Sequence, residues 1–198
     1  MTEKIVFCEM KEPWEREYLL ENFKEKDALS FEEGNFQDIR SRVQDAAILS
    51  VFINSRVSGT DMEAMPRLRL ITTRSTGFDH IDCEAAKKRN ILVANVPTYG
   101  ENTVAEHTFA LILSLSRNLR KAYFKTKDGD FALKGLMGFD LKGKTLGVVG
   151  TGHIGLHVIH MARGFGMKVV AFDVKKNHFI SEVLGFDYVP LETLLGQS

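Results

Sequence analysis

Apolar positions in this chain fall into short runs whose spacing alternates between a strand period and a helix period. Residues 4–8 open with a β-branched run, and residues 14–23 follow with apolar side chains at helical spacing: Trp14, Tyr18, Leu19 and Phe23. The rhythm continues with a strand over 28–31 and a short helix over 38–43. Residues 46–53 are almost all apolar, which suits a central parallel strand covered on both faces. A helix at 60–65, a strand at 69–73, a helix at 82–88 and a strand at 91–94 complete the first hundred residues. Alternation of this kind predicts an α/β fold with a parallel sheet and helices on its faces.

Pro97 and Gly100 interrupt the pattern, and residues 101–120 then read as one long helix. Val104, Phe109, Ile112, Leu113 and Leu119 give it apolar positions on more than one side, so it is expected to pack against several neighbours. A polar stretch at 125–130 and a glycine-punctuated connector at 131–139 lead into a second alternation. It runs strand 144–149, helix 154–165, strand 168–172, helix 177–184, strand 187–189 and the start of a helix at 191–195. The expected division is residues 1–100 as one domain and 101–198 as another. No repeat or low-complexity tract is present.

Composition narrows the class without choosing a function. The 198 residues are 44% hydrophobic and 26% charged, as in ordinary folded proteins, and 26 basic residues cancel 26 acidic ones. No net field draws the chain to nucleic acid or anionic lipid. The most apolar stretch, 108–115, is far shorter than the roughly 20 residues a bilayer requires. Two cysteines, Cys8 and Cys83, match no metal or redox spacing, so free thiols and a cytoplasmic location are expected.

Chemistry concentrates at residues 150–155, Gly-Thr-Gly-His-Ile-Gly, between an expected strand and an expected helix. Gly150 permits the tight exit from the strand, Gly152 a close approach of backbone to pyrophosphate, and Gly155 close packing of helix on sheet. Phosphate oxygens would meet unpaired N–H groups, among them those of His153 and Ile154, where the helix dipole also favours anions. Asp173 lies 18 residues beyond Gly155, at a strand end where a carboxylate accepts from an adenosine ribose and repels a 2′-phosphate. Strand, glycine turn, helix, strand and acid together point to NAD rather than NADP. Read without a ligand, the same glycines would only pack a strand against a helix, with Ile154, Val158 and Ala162 as the inward stripe. His153, His157 and His160 share helical spacing, but no carboxylate joins them, so no metal site is expected. Glu106 and His107 are adjacent and diverge on a helix; capping and packing between domains are their expected roles.

The run 75–82, Ser-Thr-Gly-Phe-Asp-His-Ile-Asp, together with 96–100, Val104-Ala105-Glu106-His107, the 150–155 turn and the 163–167 run, resembles the NAD-dependent D-isomer specific 2-hydroxyacid dehydrogenases. The likeness extends from about residue 5 to the last, and Tyr99 most resembles the D-lactate dehydrogenase branch. It implies a flavodoxin-like substrate domain followed by the first half of a Rossmann dinucleotide-binding domain. Ser75, Thr76 and Gly77 would offer backbone N–H groups to a substrate carboxylate, with Gly77 allowing a nest of converging donors. Tyr99 would stand near the substrate, and Thr103 and Val104 near the nicotinamide; by size alone, Phe52 and Tyr99 fit either the small apolar side of a pocket or the core. Closure of the domains would exclude water. The long helix would enter a homodimer interface.

The implied reaction is NAD-dependent reduction of a small 2-keto acid, with pyruvate favoured by size, to the D-2-hydroxy acid. The family's catalytic arginine, glutamate and histidine have no counterpart in these residues, and neither His107 nor His178 takes their place. The chain is therefore expected to be truncated in its cofactor domain, to leave the 144–149 strand at a sheet edge, and to be inactive alone. Two readings stay beside the enzyme: a regulator that senses NAD on the same frame, and an interaction module without a ligand.

Overall fold

A computed structural model describes residues 3–198. The chain divides between Tyr99 and Gly100 into two compact units, each with its own parallel sheet. In the first unit β1 (Ile5–Phe7), β2 (Leu29–Phe31), β3 (Ile48–Val51), β4 (Leu70–Thr73) and β5 (Leu92–Ala94) lie in the order β2-β1-β3-β4-β5. That is the flavodoxin-like order, whose direction of winding reverses between β1 and β3. Four helices make the crossovers: α1 (Pro13–Asn22), α2 (Phe36–Ile39), α3 (Gly59–Glu63) and α4 (Cys83–Lys88).

Strand β3 has the buried character its sequence demands, with Leu49, Ser50 and Val51 all enclosed. It is shorter than the apolar run, because Ile53 emerges into solvent where the chain leaves the carboxyl end of the sheet. The Asn35 side chain accepts from the Asp38 N–H, and this cap starts α2 before the expected 38–43 segment. A 3-10 turn, Arg40–Arg42, completes that segment and puts Phe36, Ile39 and Val43 in the core. Helix α1 forms as its spacing predicts but buries no residue, and Trp14 and Tyr18 face outward. Phe23, just past its end, makes the main anchor by meeting Phe7 edge-on at 6.2 Å.

In the second unit the expected long helix is two helices, α5 (Glu101–Ser116) and α6 (Leu119–Lys127). Asn118 separates them in the left-handed conformation, φ 52° and ψ 36°. Asparagine tolerates that region better than most residues, and its Nδ2 donates to the Met137 carbonyl at 3.1 Å. The stretch expected to be a polar connector at 125–130 therefore begins as helix. Beyond it β6 (Thr145–Val149), α7 (His153–Gly164), β7 (Lys168–Phe172), α8 (His178–Leu184), β8 (Asp187–Tyr188) and α9 (Leu191–Gln197) follow in turn.

The second sheet has the parallel order β6-β7-β8, the architecture of one dinucleotide-binding half. Strand β6 pairs only with β7 among the described residues. Helix α9 covers one face of β6 so closely that a Cβ on Gly147 would stand 2.6 Å from a Leu194 side-chain carbon. Helices α5 and α7 pack through Ala105 and Phe109 on one side and Val158, Ile159 and Ala162 on the other, and Phe109 stacks on Phe165 at 5.1 Å. Ile159 takes the inward place expected for Ile154, which is exposed. Among the described residues no helix is long and apolar enough to cross a membrane.

Candidate functional site

The carboxyl ends of parallel strands are where an open α/β sheet leaves backbone groups unpaired and gathers ligands. In the second unit the chain leaves β6 through Gly150, whose φ of 97° is the mirror-side conformation that glycine adopts freely. Helix α7 then starts directly after Gly152. A Cβ on Gly155 would lie 2.0 Å from the Gly150 carbonyl oxygen, so helix and turn touch where only hydrogen fits. A Cβ on Gly152 would meet nothing within 4 Å, which leaves that backbone open to an incoming group.

Among the described residues no side chain caps α7. Its first N–H groups, those of His153, Ile154 and Gly155, have no acceptor among the described residues. An anion placed there would gain both hydrogen bonds and the favourable end of the helix dipole. At the end of β7, Asp173 accepts from the Thr151 N–H at 2.6 Å, the Thr151 hydroxyl at 3.0 Å and the Lys175 N–H at 2.9 Å. The Lys175 and Thr151 donors hold its carboxyl below the usual aspartate range, so it is ionised at neutral pH.

Glu101 reaches from the start of α5 to His153 at the start of α7, Oε1 to Nδ1 3.4 Å, so both helices begin at the same end of this unit. Thr103 and Val104, exposed in the first turn of α5, thereby share that end with the glycine turn. Gly150, Gly152, His153, Ile154, Gly155 and Asp173 thus gather where β6 and β7 end, and Thr103, Val104 and the Glu101 carboxylate share that end of the unit. His157 and His160 are exposed with His153, and no group of three metal-ligating side chains occurs among the described residues. Glu106 and His107 are exposed on α5.

In the first unit the loop after β4 carries the remaining candidates. The Ser75 side chain points inward, where its hydroxyl donates to the Gly77 carbonyl at 2.8 Å and lies 2.6 Å from Thr73 Oγ1. Since Ser75 spends its hydrogen on Gly77, Thr73 donates to Ser75, and Thr73 in turn accepts from His80 Nε2 at 3.0 Å. Burial pushes the His80 imidazole below its ordinary range, which keeps it neutral. The N–H groups of Ser75, Thr76 and Gly77 have no protein acceptor among the described residues, as an anion site requires. Gly77 does not have a positive φ, and the Asn95 side chain donates to the Thr76 carbonyl of this loop at 2.8 Å. Tyr99 is exposed, and Phe52 is half-buried with the Arg74 guanidinium 5.8 Å above its ring.

A buried polar network supports this edge, and no spacing in the sequence announces it. Glu9, left-handed at φ 58°, accepts from Ser55 Oγ at 2.6 Å and from Asn54 Nδ2 at 2.9 Å. Arg74 donates to the Cys8 carbonyl at 2.8 Å and to Ser50 Oγ at 3.3 Å. Burial alone would raise the Glu9 pKa, but the donors from Ser55 and Asn54 outweigh it and the net shift is downward. Cys8 behaves oppositely: burial pushes its thiol up to about 12, so it is a neutral core group.

Residues 5–183 match the sequence profile of the D-isomer specific 2-hydroxyacid dehydrogenase catalytic domain. The chain is 39% identical over 150 residues to D-lactate dehydrogenase of Escherichia coli strain K12, covering 75% of this chain and 45% of that protein. It is 35% identical over 164 residues to a glyoxylate reductase of Korarchaeum cryptofilum, covering 81% and 49%. Among solved structures, Aquifex aeolicus D-lactate dehydrogenase complexed with NAD and lactic acid superposes with a TM-score of 0.87 at 34% identity. That match covers 98% of this chain and 58% of the other. The chain spans about half the length of the curated relatives it matches.

Two substitutions in the glycine turn should separate packing from binding. Gly155→Ala is expected to destabilise the second unit by about 1–3 kcal/mol, since neither backbone can give way, which hydrogen exchange over residues 145–172 would measure. Gly152→Ala should change stability by less than about 1 kcal/mol while blocking the approach of an anion. Equal exchange rates in the two variants would contradict the close contact.

Glu9 makes a prediction in acid. A carboxyl whose folded pKa is depressed contributes stability above its ordinary value of 4.5, and that contribution is lost as pH falls through the lower folded value. Thermal melts of the wild type should therefore fall more steeply below pH 4.5 than those of Glu9→Gln. Parallel curves would show that the network does not bind the ionised form preferentially.

Proposed function

Because the chain belongs to the D-isomer specific 2-hydroxyacid dehydrogenase family, we propose that the protein carrying these residues binds NAD and reduces a small 2-keto acid, with pyruvate as the candidate substrate, to the D-2-hydroxy acid. The observation that carries this reading is the glycine turn opening on α7 beside an ionised Asp173. When bound, NADH supplies the hydride.

The second unit, residues 101–198, is read as the cofactor domain. Gly150, Gly152, His153, Ile154 and Gly155 would hold the pyrophosphate by backbone contact, and Asp173 would accept from the adenosine ribose. Thr103 and Val104 would lie toward the nicotinamide. These residues fit the group: the free N–H donors match phosphate, the open space at Gly152 admits it, and the carboxylate matches a ribose diol but not a 2′-phosphate. The first unit, residues 1–100, is read as the substrate domain. The N–H groups of Ser75, Thr76 and Gly77 would hold the substrate carboxylate, and Tyr99 would stand beside its small apolar end.

No side chain among these residues is assigned to proton transfer. The 198 residues on their own are accordingly expected to bind NADH without turnover, since removal of acid/base and electrostatic groups costs a reaction many powers of ten. Fluorescence titration tests the reading. NADH should saturate, NADPH should bind at least about tenfold more weakly, and Asp173→Ala should narrow that difference. Absence of saturable NADH binding would defeat it. Saturable binding by the full-length protein without NADH oxidation in pyruvate or glyoxylate would favour the NAD-sensing regulator.

A homodimer belongs to the same proposal. Leu111, Leu115, Leu119 and Tyr123 are all more than half exposed on α5 and α6, and a soluble protein rarely leaves such a stripe uncovered. Leu115→Glu is expected to halve the mass seen by light scattering; an unchanged mass would exclude this stripe as the contact.

A further inference from the structure

An ionised carboxylate has lone pairs for about four hydrogen bonds. Asp173 already uses three of its positions within the protein: Oδ2 takes the Thr151 N–H and the Thr151 hydroxyl, and Oδ1 takes the Lys175 N–H. One position is left. A ribose diol brings two hydroxyl donors, so a second place must be vacated.

The neighbourhood of Thr151 contains the means. Its Oγ1 lies 2.8 Å from the Tyr188 hydroxyl as well as 3.0 Å from Asp173, and either oxygen of the Thr151–Tyr188 pair can donate. Thr151 has a single hydroxyl hydrogen, which can serve Asp173 or Tyr188 but not both. Tyr188 is well held for the part. Its backbone pairs with Ala171 on β7, its ring meets Phe186 edge-on at 5.1 Å and His178 at 5.9 Å, and its oxygen accepts from the Asn177 N–H at 3.3 Å.

We propose that Tyr188 is a positioning residue for the adenosine ribose, the acceptor to which Thr151 turns its hydroxyl so that one position on Asp173 Oδ2, beside the retained Thr151 N–H bond, opens for the ribose. The inference rests on the NAD reading above. In the free protein Tyr188 donates to Thr151 and Thr151 donates to Asp173. With ribose in place both hydroxyls rotate: Thr151 donates to the Tyr188 oxygen, which keeps the Asn177 N–H, and the phenolic hydrogen turns to solvent. No covalent bond changes and no charge moves. The rearrangement also ties together the turn after β6, the loop after β7 and strand β8.

Tyr188→Phe keeps the ring contacts and removes the acceptor. Thr151 then has Asp173 as its remaining partner, and the ribose must displace a charge-assisted hydrogen bond. NADH fluorescence titration of the 198-residue chain should show a Kd about three- to tenfold weaker. The same substitution in a Thr151→Val background should change Kd by less than about twofold, because the competing hydroxyl is gone. A purely structural tyrosine would not have its effect abolished in this way. Equal affinity in wild type and Tyr188→Phe overturns the proposal, as does a loss of the same size in both backgrounds. If the wild type fails to bind NADH, the NAD reading itself fails, and this inference falls with it.

Discussion

The second unit is organised by one contact that admits only hydrogen: the Cα of Gly155 against the carbonyl of Gly150. Any side chain at Gly155 would push α7 away from the end of β6. With the helix seated, its uncapped first turn faces open space, and the Thr151 N–H is left within reach of Asp173 on the neighbouring strand. Donor surface and carboxylate are therefore consequences of a packing distance. The helix dipole adds to the attraction for an anion only because the helix end is placed there and left unpaired.

Both units use the same physical device at the carboxyl edge of a parallel sheet. A carboxylate at a strand end, Glu9 after β1 or Asp173 after β7, is held ionised by hydroxyl, amide and backbone donors rather than by a cation. Such donors are fixed by the fold, whereas a long cationic side chain must be ordered at an entropic cost. The two carboxylates differ in exposure. Glu9 is enclosed and its acceptor positions serve the loop at Asn54 and Ser55, while Asp173 is half-buried and retains capacity toward solvent. The enclosed carboxylate holds a loop in place; the accessible one can meet a ligand.

Apolar surface is distributed unevenly. Helix α5 satisfies one face through Ala105 and Phe109 and leaves Leu111 and Leu115 outside, and the 131–139 connector exposes Phe131, Leu133 and Met137. Strand β6, at the edge of its sheet, carries a row of backbone groups without a strand partner among the described residues.

The amino-acid sequence by itself determined the α/β alternation, the parallel character of both sheets, the strand–turn–helix setting of Gly150, Gly152 and Gly155, and the acid at Asp173. These follow from local rules: hydrophobic period, the conformational needs of glycine, and the short distance between one strand end and the next. Tertiary structure decided the rest. Ile159 replaced Ile154 in the core because α7 packs against Ala105 and Phe109 of α5, a contact that no single-helix period contains. Asn118 ended α5 because its side chain finds the Met137 carbonyl, 19 residues away. Glu9, Ser55 and Arg74 became one network, and Tyr188 came to stand beside Thr151, through contacts between residues far apart in the chain. Such contacts leave no periodic trace, because their partners are chosen by folding in three dimensions and not by spacing along the chain.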